Sequence, residues 1–263
     1  MAARDFLEVE RPATGAAAGG TVVSIDPSEY SARAIIEEFD RRDIDPASSL
    51  YGWQNPTHQY FQVQTARALL AALGKENCFP LDGKRILDIG CGEGGWLLQF
   101  ARWGAAPAKL AGVELNPRRV GLARLRLPAA PLHEGDARSL PWPDASFDIL
   151  TQITVFATII SATARREIAS EMIRVLRPGG LSLSYEMRLN NPSNARVRAL
   201  PETEIRGLFP GCRISLQSLT LAPPLARRIV PLSWVLAMVL EKVPFLRPHC
   251  LAVIRKPPAS VDR

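Results

Sequence analysis

Histidine is scarce in this 263-residue chain, with three in all, and cysteine is little commoner, with four. The cysteines, Cys78, Cys91, Cys212 and Cys250, are scattered and form no C-x-x-C pair. That argues against a paired-cysteine zinc site and a disulfide framework, and for reduced thiols in a cytoplasmic setting. A long apolar run is missing too. The longest, Ile229 to Leu240, would span roughly 18 Å as a helix, against a bilayer core of about 30 Å. A membrane-spanning segment is therefore not expected. The opening "MAARDFLEVE" carries acids and lacks the apolar centre of a secretory signal, so none is expected either. Internal repeats are absent. The net charge of +6 comes mostly from arginines spread along the chain, so no nucleic-acid partner is expected from charge alone. What remains is an ordinary globular composition, 47% hydrophobic and 22% charged, long enough for one large domain with additions.

Residues 1–25, with "ATGAAAGG", show no periodicity and read as a flexible tail. Residues 26–80 read as a helical cover. Asp26, Pro27 and Glu29 mark the start of a first helix, with Ala32, Ile35, Ile36 and Phe39 on its apolar face. Asn55-Pro56 starts a second, with Val63, Ala66, Leu70 and Leu73 on one face and Gly74 as its stop. From residue 81 to 263 strands alternate with helices: "RILDIG", "LAGVEL", "APLHEGDA", "FDILTQITVF", "LSLSYEM" after a stop at "RPGG", "CRISLQSLTL" and "CLAVIRK". This alternation predicts an α/β fold with a doubly wound, mostly parallel sheet. The last two strands lack a full crossover, so one of them is expected to run antiparallel.

The stretch "ILDIGCGEGGW", Ile86 to Trp96, lies between the first strand and an apolar helix. Its glycines permit positive φ and expose backbone N–H groups where a ligand approaches. Gly90, Gly92 and Gly95 satisfy the dinucleotide pattern G-x-G-x-x-G, while Gly90, Gly92 and Gly94 satisfy G-x-G-x-G. Glu114 ends the second strand 24 residues beyond Gly90, where a carboxylate can accept both hydroxyls of a ribose. Up to this point NAD and S-adenosylmethionine fit equally well. Asp88, two residues before Gly90, repels a pyrophosphate but suits an ammonium or sulfonium group. Asp136, after the third strand, is placed to meet an adenine amino group.

Together with "LPWPDASFDIL" and "VLRPGG", these features resemble the class I S-adenosylmethionine-dependent methyltransferases of the type 11, small-molecule kind. The resemblance covers Leu81 to about Glu186 and the terminal strands. It implies a Rossmann-like, seven-stranded sheet with an antiparallel last strand, and S-adenosylmethionine as cofactor. It also implies site residues: Asp88, Gly90, Cys91, Gly92 and Gly94 at the methionine moiety, Glu114 at the ribose, Leu115 beside the base, and Asp136 with Ala137 at the adenine. Gln152, ending the fourth strand, is expected near the methyl group. Gly95 then becomes a helix-packing residue, and Cys91 a small packable one.

Methyl transfer is an in-line displacement that needs alignment and a dry site. A base matters only where the acceptor must lose a proton. His58, near Tyr51, Trp53 and Tyr60, and Glu186, ending the fifth strand, are the expected catalytic bases; Tyr51 and Trp53 would close over the cofactor. The chain has "QITVF" after the fourth strand, without the [DNS]-P-P-[YF] loop used on planar amines. It lacks a strand-end carboxylate suited to a metal there, and no metal is expected. The expected acceptor is a small organic, sugar or lipid-like molecule, methylated by preference at oxygen. An RNA methyltransferase and an NAD-dependent oxidoreductase are the alternatives. The stretch 220–249 is expected as an apolar insertion. Within it a helix from Pro231 to about Lys242, apolar nearly all round with basic ends, reads first as a lid or homodimer helix. Peripheral membrane contact through 229–246 is the other reading.

Overall fold

The computed structural model describes residues 31–44, 52–190 and 197–259. The Asp26 cap signal and Tyr51 lie outside them. Helix α1 runs over Ala32–Ile44, and α2 over Pro56–Lys75. The alternating part follows: β1 Ile86–Ile89, α3 Gly95–Arg102, β2 Leu110–Glu114, α4 Pro117–Arg126, β3 Leu132–Glu134, β4 Phe147–Ile153, α5 Ala162–Val175 and β5 Leu176–Met187. The chain closes with α6 Glu202–Leu208, β6 Arg213–Leu219, α7 Pro223–Ile229, α8 Trp234–Leu240 and β7 His249–Arg255.

The seven strands form one sheet in the order β3-β2-β1-β4-β5-β7-β6. Strands β1 to β5 pair in parallel, and β7 is antiparallel to both β5 and β6. Every residue of β1 and β2 is buried, as expected of parallel strands covered on both faces. One apolar cluster holds Leu87, Val113, Leu150 and Met172; a second holds Leu69, Ile86, Leu97 and Phe100. The sequence order reverses between β1 and β4, and a crevice opens at that switch point.

Local signals explain the helix starts. Asn55 Oδ1 accepts from Thr57 N at 2.9 Å, Asn116 Oδ1 from Arg119 N at 3.2 Å, and Ser161 Oγ from Ala164 N at 3.3 Å. The first two are followed by proline at the first helical position.

Several details differ from expectation. Helix α2 continues through Gly74 to Lys75, and its buried face carries Tyr60, Gln64, Ala68 and Leu69 as well as Leu73, while Val63 is exposed. Polar Gln64 and Thr65 are buried, which a count of apolar positions misses. The "RPGG" segment lies inside β5: Leu176 pairs with Phe147, and Gly179 N reaches the carbonyls of Lys256 and Pro257. The β4–β5 register shifts across this segment, from Phe147 opposite Leu176 to Ile149 opposite Leu181. The helix expected from Pro231 to about Lys242 is shorter, Trp234–Leu240, and a separate helix α7 precedes Pro231. Proline cannot donate to continue α7, and Ser233 Oγ caps α8 by accepting from Leu236 N at 3.2 Å. No described helix is long and apolar enough to cross a membrane.

Candidate cofactor site

The crevice at the ends of β1, β2 and β4 holds a cavity of about 160 Å³. Gly90, Glu114, Leu115 and Ala137 line it together, so four of the expected site residues meet although they leave three different strands. Gly90 has φ +67°, and a Cβ there would lie 2.6 Å from Val155 Cγ2. Gly94 has φ +80°, and its Cβ would lie 2.9 Å from Leu127 Cδ1. Both positions therefore demand glycine, by conformation and by space. Gly95 instead starts α3, and a Cβ there would meet nothing within 4 Å. It is exposed, so its expected helix-packing role is not what the structure shows. The glycine geometry follows G-x-G-x-G.

Glu114 is buried and braces the loop. Its Oε2 accepts from Gly92 N at 2.8 Å and its Oε1 from Asn116 N at 2.9 Å. Asp88 is buried behind the loop, outside the cavity lining, and accepts from Thr151 Oγ1 at 2.8 Å. Burial pushes its pKa up to about 7, with the nearby Glu114 adding to the rise and the Thr151 hydroxyl opposing it. A cation brought to Asp88 would stabilise the ionised form, so this acid suits an ammonium group. Cys91 is buried with its sulfur against Gly112, where a Cβ would lie 2.7 Å from Sγ. It packs the loop onto β2, and burial raises its pKa far above the thiol range, leaving it inert.

Other expected residues stand elsewhere. Gln152 is fully buried: its amide donates to Ser184 Oγ and its Oε1 accepts from Val155 N at 3.1 Å. It shapes the turn after β4 from behind and does not line the cavity. Asp136 turns its carboxylate to Arg138, at 2.9 Å from the backbone N and 3.0 Å from Nε, and leaves Ala137 to line the cavity. Glu186 is fully buried; its two oxygens accept from Phe156 N at 2.8 Å and Ala157 N at 3.1 Å. Burial raises its pKa to about 7. Its carboxylate is engaged in holding the turn over 154–158, which corrects the expectation of an acceptor-facing base. His58 is half-buried in the first turn of α2, its ring 5.6 Å from Trp53, and burial lowers its pKa. Trp53 is 66% exposed, and neither residue lines the cavity. Tyr60 points away, donating to Glu241.

Sequence reasoning missed how α1 closes the cavity. Ile35 and Phe39 line it, and so does Arg119 of α4. The Arg119 guanidinium lies 4.2 Å over the Phe39 ring and bonds Asp43 through Nη2 at 2.7 Å and Nε at 3.1 Å. Arg118 also pairs with Asp43, and Asp40 accepts from Asn116 Nδ2 at 2.8 Å. The i, i+4 apolar pair Ile35 and Phe39 was visible in the sequence; its partner on α4 was not. On the far side, fully buried Arg165 donates to the carbonyls of Ile159 at 2.6 Å and Arg198 at 2.9 Å, and to Glu204 at 2.9 Å. It fastens the chain before α6 to the turn before α5.

The combination of a glycine cradle, a strand-end acid and an apolar cover suits a nucleoside joined to a short polar group. Residues 86–180 match the family model described as "Methyltransferase domain". A phthiotriol/phenolphthiotriol dimycocerosates methyltransferase of Mycobacterium tuberculosis is 38% identical over 130 residues, 49% of this chain and 47% of that protein. A fatty-acid O-methyltransferase of Mycolicibacterium smegmatis is 33% identical over 139 residues, 49% of this chain and 46% of that one. The matching stretch thus spans about half the length of these relatives. Among solved structures, a SAM-dependent methyltransferase from Archaeoglobus fulgidus superposes with a TM-score of 0.53 at 14% identity, over 73% of this chain and 94% of that one. Residues 86–180 are thus similar to a methyltransferase domain, and the fold is that of S-adenosylmethionine-dependent methyltransferases.

Proposed function

We propose that the protein transfers a methyl group from S-adenosylmethionine to a small, lipid-like acceptor, at an oxygen atom. The observation that carries the reading is one cavity shared by Gly90, which tolerates no side chain, and Glu114, inside the stretch matching the family model. The lipid-like acceptor and the oxygen rest on the relatives, which are named for phthiotriol derivatives and fatty acids.

The bound cofactor supplies an electrophilic methyl group that already carries its leaving group. The chain then has three tasks. Glu114 takes the ribose hydroxyls, and the close backbone of the glycine loop, with Asp88 behind it, receives the amino-acid end. Residues 26–80 act as a cover: α1, fastened by Asp43, shuts out water beside Phe39. The acceptor is aligned, and such positioning supplies roughly 7–11 kcal/mol. His58 is the proton acceptor in this proposal. Burial lowers its pKa, so it is neutral at pH 7. It adds about 10²–10⁴-fold where the acceptor loses a proton. Peripheral contact with a lipid surface through 229–246 belongs to the same reading, as the place where such an acceptor is met.

Calorimetry with S-adenosylhomocysteine and with NADH tests the cofactor, and transfer from labelled S-adenosylmethionine to fatty acids, hydroxylated lipids and RNA tests the acceptor. Binding of NADH without S-adenosylhomocysteine, or turnover on RNA alone, would overturn the proposal.

A further inference from the structure

Helix α8 is apolar on the side that faces water. Its inner side is conventional: Ala237 is buried, and Trp234 and Leu240 pack with Tyr60 of α2 and with Leu221, Ala226 and Val230 in a third apolar cluster. Its outer side carries Val235, Leu236, Met238 and Val239, all exposed, Val235 by 72%. Leu232 just before it is 86% exposed, and Phe245 just after it 81%. A helix at a water-facing surface ordinarily carries polar side chains there. A contiguous apolar patch of this kind marks an interaction surface.

The charges around the patch identify the partner. Arg227, Arg228 and Lys242 are exposed, and no described carboxylate pairs with them. Between residues 221 and 248 the one acid is Glu241. It turns inward, accepting from the Tyr60 hydroxyl and from Thr220 N at 2.9 Å. The outward surface is therefore apolar at its centre and purely cationic at its rim. That composition matches the interface of an anionic bilayer, in which apolar side chains enter the acyl boundary and basic ones meet the headgroups.

We infer that Leu232, α8 and Phe245 form an interfacial anchor that docks the protein on an anionic lipid surface, with Arg227, Arg228 and Lys242 at the headgroups. Two contacts tie the anchor to the cover helix. Tyr60 meets Trp234 edge to face at 5.6 Å between ring centres, and Glu241 accepts its hydroxyl. Tyr60 belongs to α2, so docking fixes the orientation of the cover helix relative to the bilayer. This inference deepens the lipid-like acceptor reading and rests on it for its purpose.

The test is flotation of the full chain with vesicles of phosphatidylcholine and phosphatidylglycerol, against vesicles of phosphatidylcholine alone. Binding is expected only with the anionic vesicles and weakens with added salt. Arg227→Gln with Arg228→Gln lowers partitioning on the order of 30-fold, about one fifth retained per basic residue lost. Leu232→Ser, Val235→Ser and Phe245→Ser, made singly and together, lower it further; these side chains face water, and calorimetry with S-adenosylhomocysteine checks that each variant folds. Absence of flotation, or flotation unchanged in the serine variants, overturns the inference. So does a dimer, seen by sedimentation equilibrium, that the serine variants dissociate while no vesicle binds, which would assign the patch to a second copy. Flotation needs no acceptor and no turnover, while failure of the methyltransferase reading appears as loss of S-adenosylhomocysteine binding in the unaltered protein.

Discussion

Asp43 of α1 grips Arg119 of α4 with both carboxylate oxygens, Oδ1 at 2.7 Å from Nη2 and Oδ2 at 3.1 Å from Nε. Both side chains are about four-fifths buried. The pair fastens an N-terminal helix over a cavity built by the sheet, and the same arginine covers Phe39. Two-point, charge-assisted bonds of this kind hold geometry as well as energy. Asp43→Asn keeps the shape and removes the charge, and it should weaken S-adenosylhomocysteine binding about tenfold, given roughly 1.5–3 kcal/mol for bonds to charged groups and some solvent screening. Calorimetry measures it. An unchanged affinity beside a lowered melting temperature would show that α1 only packs and takes no part in the site.

The two glycine readings of the loop predict opposite mutants. Gly90→Ala combines a left-handed φ, costing roughly 1–2 kcal/mol, with a methyl 2.6 Å from Val155 Cγ2. It should abolish measurable cofactor binding. Gly95→Ala adds a methyl into open space at the first residue of α3, so it should leave binding intact and stabilise the helix by up to about 1 kcal/mol. Loss of binding in Gly95→Ala would restore the dinucleotide pattern.

Asp88 links cofactor binding to pH. Its pKa in the free protein lies near 7 because burial opposes ionisation. An ammonium beside it favours the ionised form, so binding below that pH releases a proton. Affinity should then rise with pH, by at most about tenfold per unit, and level off above about 7. Calorimetry in buffers of different ionisation heat counts the proton directly. A flat profile from about pH 5 to 8 would place the ammonium elsewhere.

Glu186 and His58 separate by two different readouts. The Glu186 pKa is raised in the folded state. Its stabilising contribution is thus complete below the unfolded value of about 4.3 and is lost as pH rises toward 7. Glu186→Gln removes that pH dependence and costs about 1–3 kcal/mol at acid pH, because one of two buried N–H groups loses its acceptor. Its kcat should stay within several-fold. His58→Ala should leave stability nearly unchanged and lower kcat by about 10²-fold or more. It should also erase the fall in rate of the unaltered protein as pH drops through the His58 pKa, which burial sets below the ordinary value. Urea unfolding at two pH values and a pH–rate profile decide both. A collapse of kcat in a stable Glu186→Gln would return the base to that residue.

Local chemistry made much of the fold legible. Asn55 announces α2 because a capping side chain acts within three residues. Strands β1 and β2 read as strands because continuous apolar runs suit a doubly covered sheet. The missing crossover made one of the last two strands antiparallel, and the family resemblance made it the last, β7. The face of α2 did not read correctly, since buried Gln64 and Thr65 satisfy partners that no periodicity records. Gln152 and Glu186 sit where strand-end residues of a ligand edge are expected, yet both turn inward to the turn after β4. A strand position gives the end of the sheet and not the direction of the side chain.

The sequence by itself determined the sheet, the glycine cradle and the acid at residue 114. Each depends on φ preferences, burial patterns or spacings along one strand-turn-helix unit. The tertiary structure alone decided how the cavity is closed and what faces water. Asp43 meets Arg119 across 76 residues, and Tyr60 meets Glu241 across 181. Helix α8 reads as uniformly apolar in the chain, and only packing separates its buried Ala237 from its exposed Val235. Long-range partners are chosen by complementary surfaces in three dimensions, and no local propensity encodes which surface is left without one.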